Sequence, residues 1–242
     1  MEAPSLTLKV LSLRYSSWSM RPWLAMAQAG LDFTTDTVTL AHMMDPTQST
    51  SLEERRQMGS VRGLFPVLQI ADPKEEVWIH ESLAICEYIA ELCPEAHLWP
   101  ESPTDRARAR AFSCEMMTGF LSLRDECSCA LFARVPTFQP SRATLQDMER
   151  VFEIWNECLV HSGGPFLFGA HFGIVDCMYY PVITRFRTYG IPLPEGQIKA
   201  YVEAVERAPA VLKLLELARK EPNLTIYDDY IRKLGGDPDS QL

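Results

Sequence analysis

The chain has no long run of basic residues. Its 23 lysines and arginines are outnumbered by 32 aspartates and glutamates, for a formal net charge of −9 at pH 7. A surface of that sign repels phosphate backbones and anionic lipid, which argues against nucleic acid or a membrane surface as the main partner. A long uncharged apolar run is missing too. The most apolar stretch, residues 165–183, carries His171, Asp176 and Pro181 and does not read as a membrane span. The N-terminal MEAPSLTLKV has no basic region ahead of an apolar segment, so no signal peptide is expected. The seven cysteines (Cys86, Cys93, Cys114, Cys127, Cys129, Cys158 and Cys177) show no metal-ligand spacing with histidines nearby, and no metal site is expected. Asn223-Leu-Thr matches a glycosylation sequon, which without secretion is a chance match. These absences predict a reduced, soluble, cytoplasmic protein. What is present is a substantial core: 47% of the 242 residues are hydrophobic and 23% are charged. A chain of that length buries roughly 70–75% of its unfolded surface and needs neither disulfide nor metal to fold.

The order of elements comes next. Residues 6–13 read as a buried strand. Met20–Ala29 reads as a helix with an apolar stripe of Trp23, Leu24, Met26 and Ala27, Pro22 in its first turn and Gly30 at its end. Phe33–Leu40, FTTDTVTL, reads as a second strand, and strand–helix–strand implies a parallel pair. Residues 41–63 are polar and broken, with a short helix near Leu52–Met58. LFPVLQI and VWIH flank ADPKEE as a β-hairpin, and Glu81-Ser82 opens the apolar helix LAICEYIAEL, stopped by Pro94. The prediction is an α+β domain over 1–93 with order βαβ-α-ββα, a proline-rich linker over 94–104, and an all-helical domain over 105–242. Helices are expected at 105–132, 141–161, 173–189, 196–207 and 209–220, followed by an extended, fraying tail over the last twenty residues.

Between the first strand and helix lies RYSSWSMRPW, residues 14–23. Serines there can simply form a turn, or one hydroxyl can be held at a helix start where an anion sits. Three local features place the chain beside a known family. The serine turn is similar to the "SSxS" and "SPFxxR" turns of zeta- and tau-class cytosolic glutathione transferases. Phe65-Pro66-Val67-Leu68 stands where that family has "VPVL" with a cis proline, and Glu81-Ser82 stands where it has its "ES" pair. All three occur in order and at family spacing, and the resemblance covers nearly the whole chain. FLFGAHFGIVDCMYYPV (166–182) adds the family's capping box, with Asp176 at N3 but Gly173 in place of the usual Ser or Thr.

The resemblance implies a thioredoxin-like N-terminal domain, glutathione as co-substrate and a homodimer. It assigns the bound thiol to Ser16 or Ser17, with Ser16 favoured when the count runs back from Arg21. Thioredoxin-like redox proteins carry C-x-x-C at this turn; Ser16 and Ser19 occupy those places, so dithiol chemistry is excluded. Glu81 and Ser82 would take the γ-glutamyl end and the backbone of Phe65, before a cis Pro66, would pair with the tripeptide. Leu64 replaces the basic residue common before the family's proline, leaving His42 or Arg62 for the glycine carboxylate. Trp18 and Trp23 read as packing residues. The second substrate, a small hydrophobic electrophile, would lie near Met116, Met117 and Phe120.

Three functions follow: a glutathione transferase; a glutathione-dependent cis–trans isomerase of the maleylacetoacetate type, which a basic pocket for a dicarboxylate would favour; and a non-catalytic glutathione-binding or scaffold protein, to which Leu64 and Gly173 point.

Overall fold

The computed structural model describes residues 4–72 and 75–240. Residues 73 and 74 of the expected hairpin connection, and the last two residues of the expected tail, lie outside the described residues.

The N-terminal part runs β1 (Ser5–Val10), α1 (Ser17–Gln28), β2 (Thr34–Thr37), α2 (Ala41–Met44), α3 (Leu52–Gln57), β3 (Val67–Ala71), β4 (Glu76–His80) and α4 (Ser82–Leu92). The sheet order is β2-β1-β3-β4. β1 pairs in parallel with β2 and antiparallel with β3, and β3 pairs antiparallel with β4. Leu6, Leu8 and Val10 alternate inward along β1, and α4 packs on β3, β4 and α1. The Phe65-Pro66 peptide is cis.

After a short 3₁₀ turn at Pro94–Ala96 the chain is helical: α5 (Pro103–Thr118), α6 (Leu121–Glu126), α7 (Arg142–Ser162), α8 (Ile174–Thr188), α9 (Gln197–Glu206), α10 (Pro209–Lys220) and α11 (Thr225–Lys233). α8 is buried along nearly its whole length and packs on α1 and α5. Among the described residues no helix is long and apolar enough to cross a membrane.

Three elements differ from the sequence reading. The helix expected over 105–132 breaks at Gly119, whose N–H closes the last turn on the Glu115 carbonyl at 2.8 Å, and Phe120 then takes the left-handed conformation at φ 58°. The segment from Cys127 to Val135 is irregular yet buried. Its carbonyls are met by side chains of α8 and the turn after it: Arg185 Nε on Cys127 at 2.7 Å, Thr188 Oγ1 on Ala130 at 3.0 Å, and Tyr189 Oη on Ser128 at 3.1 Å. Residues 223–240 form a packed helix and cap in place of the expected tail: α11 contacts α2, and Arg134 and Asp237 exchange backbone hydrogen bonds at 2.8 Å.

Candidate active site

α1 begins earlier than its apolar stripe implies. Ser16 is the N-cap; its Oγ accepts from the Ser19 N–H at 3.3 Å and from the Ser19 hydroxyl at 3.0 Å. A hydroxyl has two acceptor positions and one hydrogen, so Ser16 keeps its hydrogen for a further acceptor. Ser19 is fully buried and also accepts from the Leu11 N–H at 3.3 Å. Ser17 is the first residue of the helix and is 6% exposed.

The early start puts Pro22 inside the helix, not in its first turn. Proline has no N–H to give the carbonyl four residues back, which belongs to Trp18. That carbonyl instead accepts the Ser82 hydroxyl at 2.8 Å. Pro22 therefore frees the group that ties the serine turn to the start of α4. The Ser82 hydroxyl hydrogen is thus already committed within the protein.

Two cavities meet at this turn. The first, about 240 Å³, is lined by Trp18, Arg62, Leu64, Phe65, Pro66, His80, Glu81 and Ser82. It brings together Phe65, Pro66, Glu81, Ser82 and Arg62, as the sequence reading expects. Arg62 lies against Glu81 (Nη1–Oε1 2.5 Å) at the edge of this cavity. Glu81 sits at φ 72°, a strained backbone for a residue with a side chain. The second cavity, about 450 Å³, lies between the sheet domain and the helices. Ser16, Ser17, His42 and Arg55 line one wall and Arg124, Ser128, Cys129, Arg185 and Tyr227 the other. Trp18, Leu64 and Phe65 border both.

Trp18 is therefore a wall between cavities, not a packing residue. Its indole lies against two guanidinium groups, Arg21 at 4.4 Å and Arg124 at 5.0 Å. Trp23 is core, its indole N–H on Thr35 Oγ1 at 3.0 Å.

The apolar pocket expected from Met116, Met117 and Phe120 is not part of this cleft. Met116 and Phe120 are buried, Phe120 packing edge-on to Tyr179, and Met117 packs on the core. Their contribution is indirect. The helix break leaves carbonyls without helical partners, and Arg124 closes them, with Nε on Gly119 O at 3.0 Å and Nη2 on Met116 O and Met117 O. The cleft wall is cationic. Burial, then the neighbouring Arg185, holds Arg124 down to about 10, and burial with Arg124 and Arg185 nearby pushes Arg21 well below its usual value. Both Nη atoms of Arg21 are buried without a hydrogen-bond partner. Arg185 is 6% exposed and spends its Nε and Nη1 on Cys127 O and Pro181 O.

Sequence reasoning misses Arg55, Arg124, Arg185, Tyr227 and Cys129. Only the cluster of hydroxyls opposite a helix pair signals that a cleft exists. Burial pushes the thiols of Cys86, Cys127 and Cys158 up to about 12, which makes them poor nucleophiles. Gly173, which departs from the family pattern, has a steric reason. A Cβ there would stand 2.9 Å from the Leu98 carbonyl, while Asp176 still caps the Gly173 N–H at 2.8 Å.

A four-stranded mixed sheet with a serine turn at the start of its first helix, and a helical domain closing a cleft over that turn, define the glutathione-transferase type of fold. The description "Glutathione S-transferase, N-terminal domain" matches residues 15–92, and "Glutathione S-transferase, C-terminal domain" matches residues 137–216. The chain belongs to the glutathione S-transferase family, with a thioredoxin-like N-terminal and an all-helical C-terminal domain. Human glutathione S-transferase omega-2 is 26% identical over 156 residues, 63% of this chain and 61% of that protein, so the chain matches about three fifths of that relative's length. Among solved structures, a glutathione transferase homologue from Burkholderia with bound glutathione is 22% identical at a TM-score of 0.66, covering 90% of this chain and 100% of that one. Maleylacetoacetate isomerase from Anaeromyxobacter dehalogenans, with dicarboxyethyl glutathione and citrate in its active site, is 21% identical at 0.65, covering 93% and 96%.

Proposed function

We propose that the protein is a glutathione transferase in which Ser16 ionises the bound thiol. The observation that carries this reading is the Ser16 hydroxyl. It stands at a helix N-terminus with its hydrogen uncommitted and lines the second cavity, which shares Trp18, Leu64 and Phe65 with the Phe65–Pro66 and Glu81–Ser82 cavity. Glutathione would cross from the first cavity to the second past Phe65, its γ-glutamyl end at Glu81 and the Ser82 N–H in the first and its thiol at Ser16 in the second. His42 and Arg55, on the α2–α3 side of the second cavity, are the basic residues that would meet the glycine carboxylate. Moving a thiol from about 8.5 to mostly ionised at neutral pH takes roughly 2.7 kcal/mol. One charged hydrogen bond of about 1.5–3 kcal/mol and a helix N-terminus of about 0.3–1 kcal/mol supply it without a general base.

The second substrate is expected from sequence to be a small hydrophobic electrophile, and the cavity lining adds a preference to that. Arg124 and Arg185 favour one that carries a carboxylate, and they also favour, as a second reading, glutathione-dependent cis–trans isomerisation of a dicarboxylate. The same account carries a cytoplasmic homodimer and a division into domains at 1–93 and 105–242 around a 94–104 linker. The test is consumption of glutathione with a panel of electrophiles paired as free acids and methyl esters. Turnover with the acids and loss in Ser16→Ala supports the reading. Retention on immobilised glutathione with no turnover or isomerisation of any pair makes the protein a non-catalytic binder.

A further inference from the structure

The C-terminal part of the chain supplies three carboxylates to the four residues just ahead of Ser16. Glu221, directly after α10, accepts the Ser12 hydroxyl at 2.5 Å and the N–H groups of Leu13 at 2.9 Å and Arg14 at 3.1 Å. Asp228 on α11 accepts the Tyr15 hydroxyl at 2.7 Å, and Asp239 accepts from Arg14 Nη2 at 2.9 Å. Ser12 passes the constraint on. Its Oγ accepts the N–H groups of Arg14 at 2.9 Å and Tyr15 at 3.1 Å, and its carbonyl accepts the Ser16 N–H at 3.2 Å.

Residues 11–16 lie between β1 and α1 with no ladder or helix of their own, although Ser12, Leu13, Arg14 and Tyr15 are each 2% exposed. Buried N–H groups in such a turn need partners, and a carboxylate that accepts several at once fixes their directions. Here that carboxylate comes from 209 residues away in sequence. A turn held only by its own serines could shift the N-cap hydroxyl without disturbing the sheet. A hydrogen bond to a thiolate loses strength steeply with such a shift.

We propose that Glu221 is a positioning residue for Ser16: through Ser12, Leu13 and Arg14 it fixes where the N-cap hydroxyl stands, and so sets how far the bound thiol ionises. The inference rests on the serine reading above. It assigns the segment after α10 a part in catalysis that no motif in the sequence signals.

The test titrates the ultraviolet absorbance of the bound thiolate against pH in wild type, Glu221→Gln, Ser12→Ala and Ser16→Ala. Binding of S-methylglutathione, which has no thiol to ionise, is measured alongside. In Glu221→Gln and Ser12→Ala the bound thiol's pKa should rise by about one unit, which from a starting value of roughly 5.6–7.2 lowers the thiolate at neutral pH by up to about sevenfold. S-methylglutathione affinity should stay within about twofold of wild type, since its contacts on β3 and α4 are untouched. If Glu221→Gln fails to fold, Ser12→Ala decides the matter alone. A wild-type pKa in both folded variants, with a raised one in Ser16→Ala, overturns the positioning role and leaves the serine reading standing. An un-ionised thiol in wild type overturns both.

Discussion

Removing the Ser16 hydroxyl has two separable consequences. As N-cap, Ser16 accepts from the Ser19 N–H and hydroxyl; Ser16→Ala loses the cap and costs about 0.5–2 kcal/mol of stability. As the proposed thiol partner it would donate one hydrogen bond to a charged atom, which contributes about 1.5–3 kcal/mol. With that bond and the helix N-terminus together, a thiol of about 8.5 falls to roughly 5.6–7.2, and 40% or more is thiolate at neutral pH. With the helix N-terminus alone it falls only to about 8, and roughly a tenth is thiolate. Turnover limited by the thiolate should therefore drop about five- to twentyfold in Ser16→Ala. Glutathione affinity should change far less, because the proposed binding mode places the tripeptide's ends at Glu81–Ser82 and on the α2–α3 side. The assay pairs steady-state turnover with pH titration of the bound thiolate, and thermal unfolding isolates the cap effect. Ser17→Ala should keep the wild-type titration. If Ser16→Ala retains the wild-type thiol pKa, or Ser17→Ala is the variant that loses it, the reasoning fails.

Replacing Arg124 with Gln should lower kcat/KM for a carboxylate-bearing electrophile by about tenfold or more while changing its methyl ester by less than about threefold; equal losses on both would mean that Arg124 only holds the end of α5. Glu81→Gln should weaken glutathione binding by about tenfold, as it removes the charged partner of the γ-glutamyl ammonium; calorimetry giving an unchanged Kd would reduce Glu81 to a partner of Arg62. Asp176 is buried at the start of α8 and burial pushes it up to about 6 despite the Leu167 and Gly173 N–H groups it accepts. Because its folded value is raised above the ordinary one of about 3.9, its contribution is full below about pH 4 and is lost as pH rises through about 6, a fall of roughly 3 kcal/mol. Unfolding free energies measured from pH 4 to 7 should show that slope in wild type and a flatter one in Asp176→Asn, and parallel slopes would exclude it.

The parts of this site that are legible in the sequence are those made by local chemistry. Serines before an apolar helix, proline at a strand entry and Glu-Ser at a helix start all report on short stretches of backbone, and the first cavity assembles from them. The cationic wall is not legible in this way. Arg124 reaches the cleft because α5 ends at Gly119 and Phe120 turns left-handed, and nothing in a run of helix-favouring residues marks that break. Arg185 sits in a helix that is buried along nearly its whole length, and its charge is tolerated because an irregular loop offers a carbonyl to it. Pro22 is visible as a residue, but its consequence depends on where α1 starts. That start is set by the Ser16 cap and not by the apolar stripe beginning near Met20. The tail of the reading fails for a similar reason. The final segment is polar in sequence, yet Glu221, Asp228 and Asp239 find partners that lie at the other end of the chain.

The most direct test of the account is a crystal structure of the protein with glutathione bound. The account predicts the sulfur within hydrogen-bond distance of Ser16 Oγ, the γ-glutamyl carboxylate on the Ser82 N–H, and the second cavity open beside Arg124 and Arg185. A sulfur placed against Ser17 or Cys129, or a tripeptide lying outside the Phe65–Glu81 cavity, would contradict it.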